Sequence, residues 1–153
     1  MRVLIVEDDQ LLANQLEFTV SRVVPEALVT ICHTKSDARK EIEAVVYDFA
    51  IIDLFLETHM TLAQDKSMML TLDDLKDAEG PELGRLFKTR NPSGYAIMVS
   101  ATKRLSSESL GNLTDVYLVD EFLSKNQKTE HGVVGWGKQL EDRLVAVQSR
   151  LIR

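Results

Sequence analysis

Apolar positions along this chain fall into short solid runs, separated by longer stretches in which they recur every three or four residues. Val3 to Val6 is entirely apolar, which suits a strand covered on both faces. Between Asp9 and Val24, the residues Leu12, Leu16, Val20 and Val23 share one helical face, and Pro25 ends the pattern. Ala27 to Cys32 predicts a second strand. Ser36 to Val46 predicts a second helix, with Ser36 as its cap and Ala38, Ile42, Val45 and Val46 on its inner face. Phe49 to Asp53 is a third strand. Pro81 suits the first position of a helix running to Arg90. The turn residues Asn91-Pro92-Ser93-Gly94 then lead into a fourth strand, Tyr95 to Ala101. Arg104 to Leu118 carries a weaker helical pattern, Glu121 to Ser124 a short fifth strand, and Trp136 to Arg153 a strong final helix.

Strands that alternate with helices predict an α/β fold whose parallel sheet is covered on both faces. Right-handed crossovers narrow this to a doubly wound five-stranded parallel sheet. The expected order is the flavodoxin-like 2-1-3-4-5, with its switch point between strands 1 and 3. The length of 153 residues predicts one domain spanning 1–153.

That topology gives the carboxylate in Phe49-Ala50-Ile51-Ile52-Asp53-Leu54-Phe55-Leu56 a reason to be there. A carboxylate in an apolar run is costly unless it is paired, hydrogen-bonded or bound to a metal. Asp53 ends strand 3, while Glu7 and Asp8 stand just past strand 1, its neighbour about 4.8 Å away. Three carboxylates so close repel one another, and a divalent cation removes the conflict. An all-oxygen donor set with few protein ligands suits Mg²⁺. Strand 4 brings the hydroxyl of Ser100 to the same rim, and strand 5 is followed by the ammonium of Lys125. A nucleophile, a metal, a hydroxyl and an ammonium on one rim make a site for handling a phosphoryl group. Asp53 is the expected acceptor, because it alone emerges from the central strand.

Composition sets limits on this picture. The chain is 44% hydrophobic and 27% charged, as a globular protein is, and its net charge of −6 argues against direct contact with nucleic acid. Cys32 is the single cysteine, so no intrachain disulfide can form. No apolar run approaches the length of a membrane span, and none near Met1 resembles a signal peptide. A cytoplasmic location is the expectation. His33, His59 and His131 show no metal-ligand spacing.

The ordered set of motifs resembles the receiver domains of two-component response regulators. Val3-Leu4-Ile5-Val6-Glu7-Asp8-Asp9 is similar to their first strand and acidic pair, which here is Glu7 and Asp8. Ala50-Ile51-Ile52-Asp53-Leu54-Phe55-Leu56 is similar to the strand bearing the phosphorylated aspartate. Ile97-Met98-Val99-Ser100-Ala101 resembles the strand with the hydroxyl switch residue, and Asp120-Glu121-Phe122-Leu123-Ser124-Lys125 the one with the switch aromatic and the lysine. Gly80 matches the glycine that opens the third helix. The resemblance implies a phosphoacceptor switch rather than a turnover enzyme. Asp53 would be phosphorylated from a phosphohistidine donor, with Mg²⁺ held by Glu7, Asp8, Asp53 and the backbone carbonyl of Phe55. Ser100 and Phe122 would form the switch pair and Lys125 would balance charge. The implied partners are a histidine kinase or phosphotransfer protein and an output protein or domain.

The sequence departs from the family in three places. Asn126 stands where proline usually follows the lysine, Leu118 and Val119 replace a glycine and an alanine, and residues 57–79 form a long insertion. Within the insertion, Leu72, Leu75 and Glu79 fit one face of a short helix beside Met60, Met68, Met69 and several aspartates. It is either a tolerated loop or a surface that controls access to Asp53. Leu140, Leu144, Val147 and Leu151 in the final helix (136–153) make a heptad-like seam, for packing on the sheet, a homodimer contact or continuation into an output domain. The alternative function is a receiver-like interaction module that is not phosphorylated and acts through the insertion and the final helix. A hydrolase using the same carboxylates is disfavoured, because Phe55 stands where aspartate-nucleophile phosphatases need a second aspartate.

Overall fold

The computed structural model describes residues 1–56, 69–100, 104–124 and 135–152. The elements in chain order are β1 (Arg2–Val6), α1 (Gln10–Val23), β2 (Leu28–Cys32), α2 (Lys35–Ala44), β3 (Phe49–Asp53), β4 (Met69–Leu70), α3 (Leu72–Lys76), α4 (Gly80–Arg90), β5 (Tyr95–Ser100), β6 (Arg104–Leu105), α5 (Ser107–Asp115), β7 (Glu121–Ser124) and α6 (Gly135–Ile152). Five strands form one parallel sheet in the order β2-β1-β3-β5-β7. Counting only these five, the order is 2-1-3-4-5, as the strand and helix pattern predicts. The α/β, doubly wound flavodoxin-like class is therefore correct.

The solid apolar strands divide their side chains between two cores, because successive residues of a strand face opposite sides. Val3, Ile5, Phe49, Ile51, Ile97 and Val99 pack with Leu16 and Val20 of α1 and with Leu140, Leu144 and Val147 of α6. Leu4, Val6, Ala50, Ile52, Ala96 and Met98 pack on the other face with Ala38 and Ile42 of α2, Leu83 and Phe87 of α4, and Leu113 of α5. The final helix thus places three of its four seam residues in the core, and Leu151 alone is exposed. Arg22 of α1 and Glu141 of α6 form an ion pair across the two helices.

Some local expectations need correction. The cap of α2 is Thr34, whose side chain accepts the Asp37 N–H at 3.1 Å, and Ser36 is an exposed residue of the first turn. Thr34 is the last extended residue before the helix, which is where a capping hydroxyl reaches the open N–H groups. The helix ends at Ala44, so Val46 lies beyond it and is 71% exposed. Leu72 and Leu75 do lie on a helix, α3, but Glu79 is outside it and belongs to the entry of α4.

A second, two-stranded parallel sheet pairs β4 with β6, with Met69 opposite Arg104 and Leu70 opposite Leu105. Thr71 caps α3 in a reciprocal box with Asp74, and Leu70 and Leu75 are both buried in the core on the α2, α4 and α5 side of the sheet. Residues 69–79 are thus folded onto the domain. Met60, Met68 and the rest of 57–68 lie outside the described residues. Among the described residues, no helix is long and apolar enough to cross a membrane.

Candidate functional site

The adjacent strands β1 and β3 run in register, with Val6 opposite Ile52, so the residues that follow leave the sheet side by side. The ladder continues past the strand ends. The N–H of Glu7 donates to the Cys32 carbonyl at 3.0 Å, and that of Leu54 to the Val99 carbonyl at 2.8 Å. Backbone pairing on both sides fixes where the carboxylates of Glu7 and Asp53 start. These two are 2% and 8% exposed, whereas Asp8 reaches solvent. Carboxylate oxygens of Glu7, Asp8 and Asp53 all lie within 4.8 Å of one another. Crowding by protein atoms, and then the hydrogen bond and negative charge of Glu7, push the Asp8 carboxyl above its usual range. Carboxylates this close repel one another, and their hard oxygen donors fit a divalent ion of the Mg²⁺ or Ca²⁺ type.

The neighbouring acid has a different task. Asp9 caps α1, its Oδ1 accepting the Leu12 N–H at 3.0 Å, and its own N–H donates to Glu7 Oε1 at 3.2 Å. The helix N-terminus is served by Asp9, so Glu7 and Asp8 are not needed there as a stabilising acidic cluster.

The turn after Asp53 is held from several directions. The Phe55 N–H points to Asp53 Oδ1 at 3.4 Å, at the long end of a hydrogen bond. The Leu56 N–H donates to Glu79 Oε2 at 3.1 Å, and the Gly80 N–H to the Leu54 carbonyl at 3.0 Å. The long connection therefore closes on itself at its neck. A Cβ at Gly80 would stand 2.4 Å from the Asp53 carbonyl oxygen, so only glycine lets α4 begin this close to the acidic cluster.

Ser100 follows Val99, which lies opposite Asp53 in the register of β3 and β5, and it is buried opposite Ser124 of β7. Phe122 is half-buried and packs against the core near Leu110, Leu113 and Val119, which line a groove of about 310 Å³ between α5 and β7. Lys125 and Asn126 lie outside the described residues, as do His59 and His131. Glu7, Asp8, Asp53 and Ser100 thus sit at the carboxyl ends of adjacent strands, where the sequence places them.

Sequence reasoning misses two neighbours of the cluster. His33 sits with Nδ1 2.9 Å from the Glu7 carbonyl oxygen, a distance at which a protonated Nδ1 donates. Its place directly after β2, the strand beside β1, was the available signal. Glu79 is the other, and its distance along the chain from Leu56 hides the contact. Cys32 is a buried apolar group, and burial, then Glu41 and Asp37, push its thiol up to about 11.

No family model and no curated protein matches the sequence. Solved structures do match in fold, and those that this chain is similar to include response-regulator receiver domains. A two-component response regulator from Clostridium difficile superposes with a TM-score of 0.69 at 13% identity, over 99% of this chain and 98% of that one. Response regulator TrrA from Thermotoga maritima, in complex with Mg(2+)-BeF, gives 0.58 at 14% identity over 94% and 97%. A response regulator from Burkholderia pseudomallei with a phosphorylated aspartic acid, calcium ion and citrate gives 0.59 at 16% identity, over 93% of this chain and 71% of that one.

Proposed function

We propose that this protein is a phosphoacceptor signalling switch whose acceptor is Asp53. The observation that carries the reading is the convergence of the Glu7, Asp8 and Asp53 carboxylates at the switch point of the sheet. The Mg(2+)-BeF complex of one structural neighbour and the phosphorylated aspartate of another support it. A carboxylate oxygen of Asp53 attacks the phosphorus of a phosphohistidine. The new O–P bond forms as the P–N bond breaks, and the imidazole nitrogen keeps the electron pair and takes a proton from solvent. Held by Glu7, Asp8, Asp53 and the Phe55 carbonyl, Mg²⁺ would neutralise charge on the transferring group. The Lys125 ammonium is assigned the same duty from its place in the sequence after β7.

In this reading the Ser100 hydroxyl is drawn to the new phosphoryl oxygens and Phe122 changes its packing, which remodels the surface by α5 and β7. The donor is a histidine kinase or phosphotransfer protein in the cytoplasm. Output passes through a protein contact, and the seam of α6, taken up by the core at Leu140, Leu144 and Val147, is not the surface that makes it. The protein assists its own phosphorylation but is a switch and not a turnover enzyme.

Intact mass after incubation with Mg²⁺ and acetyl phosphate tests the reading. Wild type should gain one phosphoryl group and Asp53→Asn none. No adduct on wild type, with acetyl phosphate or with a candidate kinase, would replace this reading with a constitutive interaction module.

A further inference from the structure

Residues 69–79 touch the domain at two places that the topology otherwise keeps apart. At one end, Glu79 accepts the Leu56 N–H and the Gly80 N–H donates to the Leu54 carbonyl, so this arm holds the turn that follows Asp53. At the other end, β4 pairs with β6, whose first residue, Arg104, follows Ser100 closely in the chain. The Leu70 carbonyl is the fixed point there. It accepts the Ser106 N–H at 3.1 Å and the Ser109 hydroxyl at 3.1 Å. Ser109 is fully buried, and its Oγ also receives the Ser106 hydroxyl at 2.7 Å. Between the two ends, the capped helix α3 and the buried Leu75 make the arm a short folded unit.

We propose that the arm couples the Asp53 turn to the start of α5, and that Ser109 is the positioning residue that fastens it. A buried hydroxyl bonded to a buried carbonyl is a strong local constraint, because breaking it leaves the Ser109 proton without its acceptor and the Leu70 carbonyl with the Ser106 N–H alone. With the arm fastened, Leu54 and Leu56 are held on either side of Phe55, and cation binding at the carboxylates need not order that turn. With the arm loose, ordering must accompany binding and weakens it. Coupling is reciprocal, so a cation at Asp53 must in turn tighten the arm and the start of α5.

The inference rests on the cation-dependent reading above, and the test separates the two. Isothermal titration with MgCl₂ is run on wild type, Ser109→Ala and Ser109→Cys, with hydrogen exchange of 69–76 and 104–110 measured with and without Mg²⁺. Ser109→Ala should exchange faster in both segments and bind Mg²⁺ about fivefold more weakly. Ser109→Cys, a weaker donor of similar size, should fall between, and it decides the matter should the alanine variant not fold. In wild type, Mg²⁺ should slow exchange in both segments together. Faster exchange with unchanged Mg²⁺ affinity overturns the coupling, and unchanged exchange overturns the fastening. Absence of Mg²⁺ binding by wild type overturns the cation-dependent reading itself.

Discussion

The carboxylate of Glu79 accepts the backbone N–H of Leu56 at 3.1 Å across a sequence separation of 23 residues. With the Gly80 to Leu54 bond beside it, this contact returns the chain to the point it left, next to Asp53. The length of the connection need not disturb the acidic cluster, because the neck is stitched.

Glu79→Ala removes a charged acceptor from a partly buried N–H and should cost about 1–2 kcal/mol in urea unfolding. Glu79→Gln keeps an acceptor oxygen and should recover most of that. Equal losses for the two variants would show that charge, not the Leu56 bond, is what matters.

Gly80→Ala should be worse. The added methyl group would meet the Asp53 carbonyl at 2.4 Å and the Leu54 Cα at 2.9 Å, and both are backbone atoms that cannot swing aside. A loss of about 2–3 kcal/mol is expected, together with weaker Mg²⁺ binding. A wild-type Tm with wild-type Mg²⁺ affinity would contradict the close approach.

Asp8 supplies a pH test. Its carboxyl is raised above 3.8 by burial and then by Glu7, so the folded state holds that proton more tightly than the unfolded chain. Stability linked to Asp8 is therefore present at low pH and is lost as pH rises from 3.8 through the raised value. Without metal, Asp8→Asn should become more thermally stable than wild type across that window. Saturating MgCl₂ should reverse the order at neutral pH, since it stabilises only the form that binds it. A Tm difference that ignores both pH and Mg²⁺ would remove Asp8 from the cluster.

Leu118 has φ 61°, in the left-handed region that favours glycine, and its side chain is 43% exposed. The resemblance to receiver domains marks this neighbourhood as one where glycine usually stands. Leu118→Gly should stabilise by up to about 1 kcal/mol, as relief of backbone strain outweighs the added freedom of the unfolded chain. Denaturant midpoints check this, and a destabilised variant would mean that the Leu118 side chain contributes more packing than its exposure suggests.

The sequence by itself determined the five-stranded order and the meeting of Glu7, Asp8 and Asp53. Solid apolar runs and helical periodicity are local signals, and the handedness of crossovers converts them into a topology. Once β1 and β3 are neighbours, the residues after them must converge. Tertiary structure decided the rest. Strands of two residues such as β4 and β6 carry no period, so their pairing is invisible until the two segments are brought together. The cap of α2 moved from Ser36 to Thr34, because a cap depends on where the extended backbone ends and not on which hydroxyls are nearby. Glu79 fits a helical face by spacing, but an unpaired N–H at Leu56 claimed it. Contacts between residues far apart in the chain leave no periodic trace in the sequence, and here they set how the turn after Asp53 is held.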